Sequence, residues 1–380
     1  METASIQNRG ALSFWDRLPR PIVGLAPMDG VTDAAYRFIT ARHGRPDVCF
    51  TEFTSVDRIV LGHDPNLTDL LYGESERPVM AQLFGTDPEL FYKAAHVVAE
   101  LGFDGIDINM GCPSKTIASR GAGAGLIRTP ELARQILKRT REGVADWRAG
   151  QSLDRIGVPP TVIEAVQKHK RIRMESYDGG TTEAPGREIP ISVKTRLGYH
   201  QVVVEEWIGH LLSESPAAIS LHGRTLAQHY RGEADWEAIA KAARIVRGSR
   251  TILLGNGDIR SAGSAVRRIR ETGVDGVLLG RVTMGNPWIF ATRDAIREAV
   301  RTGGAPPADP IVPIADKLAV ALEHAELYGR MRGEKSYRGI RKYLAAYCRG
   351  FENASELRQR LVRIESYDDA ESILRPVVCA

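Results

Sequence analysis

Two side chains in this sequence invite a chemical reading before any fold is assigned. Cys112 stands between Gly111 and Pro113, on a constrained turn. A free thiol has a pKa of about 8.5, so at neutral pH most of it keeps its proton. It can donate that proton as a general acid, attack as a thiolate where a neighbour activates it, or sit inert in a loop. Lys194 closes a short apolar run, Ile191-Ser192-Val193-Lys194. An ammonium there can stabilise negative charge on a cofactor ring, form a Schiff base, or snorkel to solvent. Around these two lie Asn109, Gln82, His222 and Arg224, together with two glycine-bearing segments, Asn256-Gly257-Asp258 and Gly280-Arg281.

Chemistry requires that these distant residues meet, and the pattern between them says how. Short apolar runs recur at 22–27, 47–53, 79–84, 105–110, 191–195, 217–222, 251–256 and 276–280. Each is continuously apolar rather than alternating, as expected of strands buried on both faces. Helical periodicity fills the gaps at 87–101, 130–140, 202–212, 236–247 and 261–272. The first of these opens with Asp87-Pro88, an N-cap followed by proline at the first helical position, and ends at Gly102. Eightfold strand–helix alternation predicts an α/β chain built as a (β/α)8 TIM barrel over residues 1–305. In such a barrel the C-terminal strand ends converge on one face. That face then receives Pro27, Met28, Asp29, Gln82, Asn109, Cys112, Lys194, His222, Arg224, Asn256, Gly257, Asp258, Gly280 and Arg281. Loops after the seventh and eighth strands commonly hold phosphate in this architecture, by backbone N–H groups at a helix start. Tight βα turns are the alternative for the two glycine segments. Gly121–Gly125 lacks the Lys-Ser/Thr of a P-loop. The loop carrying Arg120 is long enough to cover the site.

Composition removes whole classes of function. The chain has 380 residues, 43% hydrophobic and 26% charged, enough to bury a sizeable core, so disorder is excluded. The 37 glycines and 20 prolines show no period. No apolar run approaches membrane-spanning length, and the first residues carry no secretory pattern. Cys49, Cys112, Cys348 and Cys379 lack CxxC spacing, which argues against a metal site or a disulfide framework and for a reducing, cytoplasmic location.

Two segments fall outside the barrel. Residues 143–188 read as an insertion, with turn-rich stretches at 178–182 and 183–187 and a helix-like piece at 160–169 ending in a basic run through Arg173. It is expected as a surface excursion or an auxiliary RNA or partner contact. After a Gly/Pro linker at 301–313, residues 306–380 read as a small C-terminal α-helical bundle. Between Arg330 and Arg363 ten Lys or Arg face only three acids, a surplus of seven in a chain whose net charge is +4. That concentration points to a polyanion partner. Arg338, Arg341 and Lys342 are its candidate contacts, with Tyr337, Tyr343 and Tyr347 interleaved. A solvated basic face over core tyrosines is the alternative.

Taken together, Leu25-Ala26-Pro27-Met28-Asp29-Gly30-Val31-Thr32-Asp33, Gln82-Leu83-Phe84-Gly85, Asn109-Met110-Gly111-Cys112-Pro113, the segment from Val193 to Gly198, His222-Gly223-Arg224-Thr225, Asn256-Gly257-Asp258 and Gly280-Arg281 resemble the tRNA-dihydrouridine synthases. The resemblance covers the whole barrel in order and continues into the helical tail. It implies a tightly bound FMN, reduced by NADPH or NADH, that passes hydride to C6 of particular tRNA uridines while a cysteine protonates C5. Carried over by residue, Cys112 is the general acid. Pro27, Met28, Asp29, Gln82, Lys194, Asn256, Gly257, Asp258, Gly280 and Arg281 are the FMN contacts. Asn109 and His222 are placed with the cofactor, and Arg224, Arg338, Arg341 and Lys342 with the tRNA. No membrane and no obligate protein partner are expected. A barrel flavoprotein acting on a small dihydropyrimidine or enone, and a non-catalytic RNA-binding barrel, are the competing functions.

Overall fold

All eight apolar runs fold as parallel strands, and they close on themselves. The computed structural model describes residues 13–64, 67–176, 188–229 and 231–379. The strands are β1 (Ile22–Leu25), β2 (Cys49–Phe50), β3 (Thr54–Ser55), β4 (Val79–Phe84), β5 (Gly105–Met110), β6 (Ile191–Arg196), β7 (Ala218–His222), β8 (Ile252–Asn256) and β9 (Gly276–Leu279). Hydrogen-bonded order runs β1-β9-β8-β7-β6-β5-β4-β2, with β3 also on β4. Leu25 N–H donates to Val48 O at 3.0 Å and Asp47 N–H to Val23 O at 3.0 Å, which joins β1 to the entry of β2 and closes the barrel. The second strand is thus split into β2 and β3. At the break the Thr51 hydroxyl takes the place of a backbone acceptor, receiving Gln82 N–H at 2.9 Å.

Helices wrap the barrel much as the periodicity predicts. Pro88–Glu100 starts on the Asp87 cap, whose carboxylate accepts from the amides of Glu89 and Leu90. The helix that begins at Pro130 runs on to Arg148, past the expected limit at 140. Gly143 is no helix end. It lies where this helix meets its neighbour, and a Cβ there would stand 2.4 Å from Tyr92 O. The insertion therefore begins later than the sequence suggested.

Its helix, Pro160–Ser176, lies along the barrel flank. His169 is buried, with Nε2 3.0 Å from Leu70 O, and Lys170 pairs with Glu100. Of the basic run, Lys168 and Arg171 are exposed. The predicted turns at 178–182 and 183–187 lie outside the described residues, as does the N-terminal stretch read for a signal.

Beyond the barrel helix Arg293–Thr302, the linker leads into Ile314–Arg332, Arg341–Tyr347, Ala354–Leu361 and Tyr367–Val378. These helices sit on the barrel through buried polar ties. The Tyr343 hydroxyl donates to Asp33 Oδ2 at 2.8 Å, and Arg332 reaches Glu52 at 3.4 Å. Beside them Arg37 and Glu76, both buried, pair at 2.7 Å. Tyr337, Tyr343 and Tyr347 are all buried, so they are core residues and not a surface platform. No helix among the described residues is long and apolar enough to cross a membrane.

The tightest point of this junction is Gly285, at φ +68, where a Cβ would lie 2.4 Å from the carbonyl carbon of Ala346. Gly285→Val is expected to destabilise the fold by about 2–3 kcal/mol, from backbone strain and overpacking together. Thermal unfolding checks this, and an unchanged melting temperature would show that the two parts separate freely there.

Candidate active site

Polar residues at the C-terminal strand ends surround one cavity of about 830 Å³. Pro27, Met28, Asp29, Gln82, Asn109, Cys112, Lys194, His222, Asn256, Gly257, Asp258, Gly280 and Arg281 all line it. Thirteen residues from seven strand ends thus meet, because every strand is parallel and each run ends at the same face.

The thiol side is held by a series of amides. Asn109 Oδ1 accepts from Gly111 N–H at 3.0 Å and Cys112 N–H at 2.8 Å. Its Nδ2 donates to Gln82 Oε1 at 2.9 Å, and Gln82 Nε2 donates to Asp107 Oδ2 at 2.6 Å. Cys112 is buried, and that burial pushes its thiol above the ordinary range, with Asp29 adding to the effect and Arg196 and Lys194 opposing it. The Cys112 thiol therefore keeps its proton at neutral pH.

Lys194 is the charge opposite. Burial first and then Arg196 lower its pKa to about 8, with Asp107 and Cys112 working the other way. Asp107 is pushed up to about 7 by burial, against the Gln82 hydrogen bond and the Lys194 charge. His222 is held well below its ordinary value, by burial first and then by Arg196, Lys194, Arg224 and Arg281. Its imidazole is neutral, and Nδ1 is buried without a partner among the described residues.

The strand-eight and strand-nine ends form a second wall. Asp258 adopts φ +49 and spends both carboxylate oxygens on the protein. Oδ2 accepts from Arg224 at 2.6 Å and from Ala234 N–H at 2.8 Å, and Oδ1 accepts from Arg281 at 2.9 Å. These partners hold the carboxyl below its usual range even though burial pushes the other way. Gly257, at φ +128, leaves no room for a side chain, since a Cβ would come 2.8 Å from that of Ala234. Asn256 Nδ2 ties across to Leu278 O at 2.9 Å.

None of the four residues assigned to the substrate lines the cavity. Arg224 is buried, bonded to Asp258 and to Gly232 O at 2.6 Å, and does not line the cavity; it is a strut behind the second wall. Arg338 pairs with Glu365 at 2.7 Å, and Arg341 donates to Ile364 O at 2.8 Å. Lys342 Nζ donates to Gly30 O, at the edge of the mouth. Each of these three cations has a partner within the helical region or at its junction with the barrel.

Arg196 is the residue the sequence reading left out. It lines the cavity, is 5% exposed, and donates from Nε to Gly111 O at 2.6 Å. The signal was present: Lys194 and Arg196 are two apart in one strand, so they share a face. His229 also lines the cavity, from a loop with φ +49 that no strand-end argument reaches.

A family model described as dihydrouridine synthase (Dus) matches residues 24–150 and 184–379, skipping most of the insertion. The probable tRNA-dihydrouridine synthase 2 of Bacillus subtilis (strain 168) is 32% identical over 367 residues, covering 95% of both chains. The probable tRNA-dihydrouridine synthase of Staphylococcus aureus (strain COL) is 30% identical over 371 residues, covering 95% of this chain and 94% of that one. A closed parallel barrel, a protonated thiol and a buried ammonium on one mouth, and likeness along nearly the whole length converge on one assignment: this chain belongs to the dihydrouridine synthase family.

Proposed function

We propose that the cavity holds FMN and that the chain reduces the C5–C6 bond of uridines in tRNA, drawing electrons from NADPH or NADH. The observation that carries this reading is the pairing of Cys112 and Lys194 on one cavity of about 830 Å³, within the usual range for cofactor sites. The residues present suit a flavin phosphate. Among the described residues His222 Nδ1 is an orphaned buried polar atom, and Gly257 keeps the strand-eight turn free of a side chain. Lys194 Nζ makes no hydrogen bond among the described residues, which leaves its charge available. When bound, FMN would supply the hydride for C6 of the uracil.

The chain's own residues do the rest. Gly257, Gly280 and Arg281 would hold the phosphate, with Asp258 fixing the guanidinium of Arg281. Pro27, Met28, Gln82, Asn109 and Lys194 would face the ring, with Asp29 at the rim. Cys112 holds a proton on Sγ and gives it to C5. Arg196 pins the turn beneath that sulfur. The barrel, residues 1–305, is the catalytic unit in this reading, and residues 306–380 bind RNA. A tRNA substrate places the reaction in the cytoplasm.

RNA affinity rests on phosphate contacts by cations that the protein has not already spent. In the helical region Arg349, Arg360 and Arg363 are exposed and have no ion pair among the described residues. They are the tRNA contacts proposed here, and Lys342, exposed at the mouth although it donates to Gly30 O, is proposed with them. Deleting the region would uncover Asp33 and the buried junction, so charge reversal is the cleaner test. The triple change R349E/R360E/R363E should leave flavin content intact and lower the slope of log affinity against log salt by roughly two to three units. An unchanged slope removes these arginines from the interface. Wild-type protein that holds FMN but shows no salt-dependent tRNA binding would favour a small-molecule substrate instead.

A further inference from the structure

We propose that Asp107 is a positioning residue for the proton donor: its buried carboxylate anchors two side-chain amides in series and, through them, the backbone of the Cys112 turn. The inference rests on the reading of Cys112 as the donor given above.

Geometry supplies the argument. Asp107 and Asn109 are two apart in β5, so both project to one face, and Gln82 sits in β4 in register with Asp107. The backbone N–H groups of Gly111 and Cys112 can only donate, so Asn109 must aim Oδ1 at them. Its NH2 group is then left for Gln82 Oε1, at 2.9 Å. Gln82 in turn presents its own NH2 to Asp107 Oδ2 at 2.6 Å, a bond that favours the ionised carboxylate against the burial that raises its pKa. Reversing either amide would set acceptor against acceptor and donor against donor in a buried site, where an unmade bond is costly.

The two ends of the chain agree. Backbone N–H groups terminate it at the turn, and a carboxylate terminates it inside the barrel. Every donor points toward Asp107. Without that acceptor the Gln82 NH2 group is buried and unpaired, and it can regain a partner only by leaving Asn109. Arg196 holds the same turn from the other side through Gly111 O, so the peptide before Cys112 is gripped at both of its polar atoms. Asp107 is fully buried and touches neither the cavity nor the thiol. Its hydrogen-bonded route to the sulfur runs through Gln82 and Asn109, while its charge also acts on Lys194.

The test compares holoenzymes carrying D107N, D107L, N109A and D107L/N109A. Two readouts are taken: the single-turnover rate of uridine reduction in tRNA, and the rate of Cys112 alkylation by iodoacetamide, resolved by peptide mass spectrometry. A displaced reacting group of about 1 Å costs roughly 100-fold, so D107L and N109A should each slow tRNA reduction about 30- to 100-fold. The double variant should be little worse than either single one, since the three residues act as one unit. D107N keeps an acceptor oxygen for Gln82 and should recover activity to within roughly threefold to tenfold of wild type. Alkylation should change several-fold in D107L and much less in D107N. Effects of D107L and N109A that multiply independently would overturn the proposal, as would D107N as damaged as D107L. If D107L does not fold, D107A is compared in its place under the same criteria. A wild-type enzyme that reduces no tRNA uridine would sink the functional reading alone, because the alkylation rates still report on the turn.

Discussion

Replacing Cys112 by alanine should leave a yellow protein that no longer modifies tRNA at a useful rate. General-acid catalysis contributes typically 10²- to 10⁴-fold, so uridine reduction by C112A is expected to fall by about that factor. Flavin content and the rate of flavin reduction by the nicotinamide should stay near wild type, since the thiol is assigned only to the uracil side. The cause lies in the protonation state. Burial pushes the Cys112 thiol up, and neither Arg196 nor Lys194 reverses the shift. A thiol of that kind carries its proton throughout the neutral range. Its alkylation by iodoacetamide should therefore rise with pH only above about 8.5, the ordinary thiol value. C112S retains an O–H but a far weaker acid, and should recover little. Turnover of C112A within threefold of wild type, on tRNA lacking dihydrouridine, would remove the thiol from the chemistry. Alkylation already fast at pH 7 would instead show a thiolate and favour nucleophilic attack.

The strands were legible because each is buried on both faces, which makes a run such as 105–110 apolar except where it meets the site. Asp107 and Asn109 break that run, and of the two Asn109 lines the cavity. The split of the second strand was not legible, because a Thr51 hydroxyl replaces a backbone acceptor and no periodicity records that. Gly143 misled for a related reason: glycine marks close approach as readily as it marks a helix end, and the neighbouring Tyr92 backbone is far away in sequence. Partners set the other differences. Arg224 looked free because Asp258, which neutralises it, lies 34 residues on. Arg338 and Arg341 looked free because Glu365 and Ile364 O come from a later segment. Interleaving of tyrosine with basic residues over 337–347 is equally compatible with a basic outer face and an aromatic inner one. The structure takes the second, with Tyr343 bonded to Asp33 across the junction.

In the proposed reading Lys194 sets how strongly the site favours negative charge on its cofactor, and K194M should reveal this in two measurements. Removing one pre-organised electrostatic donor from a water-poor site costs about 10²- to 10³-fold, so flavin reduction by the nicotinamide should slow by about that much. A charged hydrogen bond is worth about 1.5–3 kcal/mol, which for a two-electron couple makes the flavin midpoint potential more negative by roughly 30–60 mV. Flavin should still bind, because the phosphate grip proposed on Gly257, Gly280 and Arg281 is untouched. The pH dependence carries the sign. Burial and Arg196 lower Lys194 to about 8, so the ammonium predominates below that pH and the neutral amine above it. Negative charge on a neighbouring ring would hold the proton on, moving the loss to higher pH. Wild-type flavin reduction should therefore decline on the alkaline side of pH 8, while K194M, having no ammonium to lose, should lack that decline. Should K194M match wild type in both rate and potential, the buried lysine is only a filler of the barrel mouth. A K194M protein that cannot hold FMN at all would assign the residue to binding rather than to charge stabilisation.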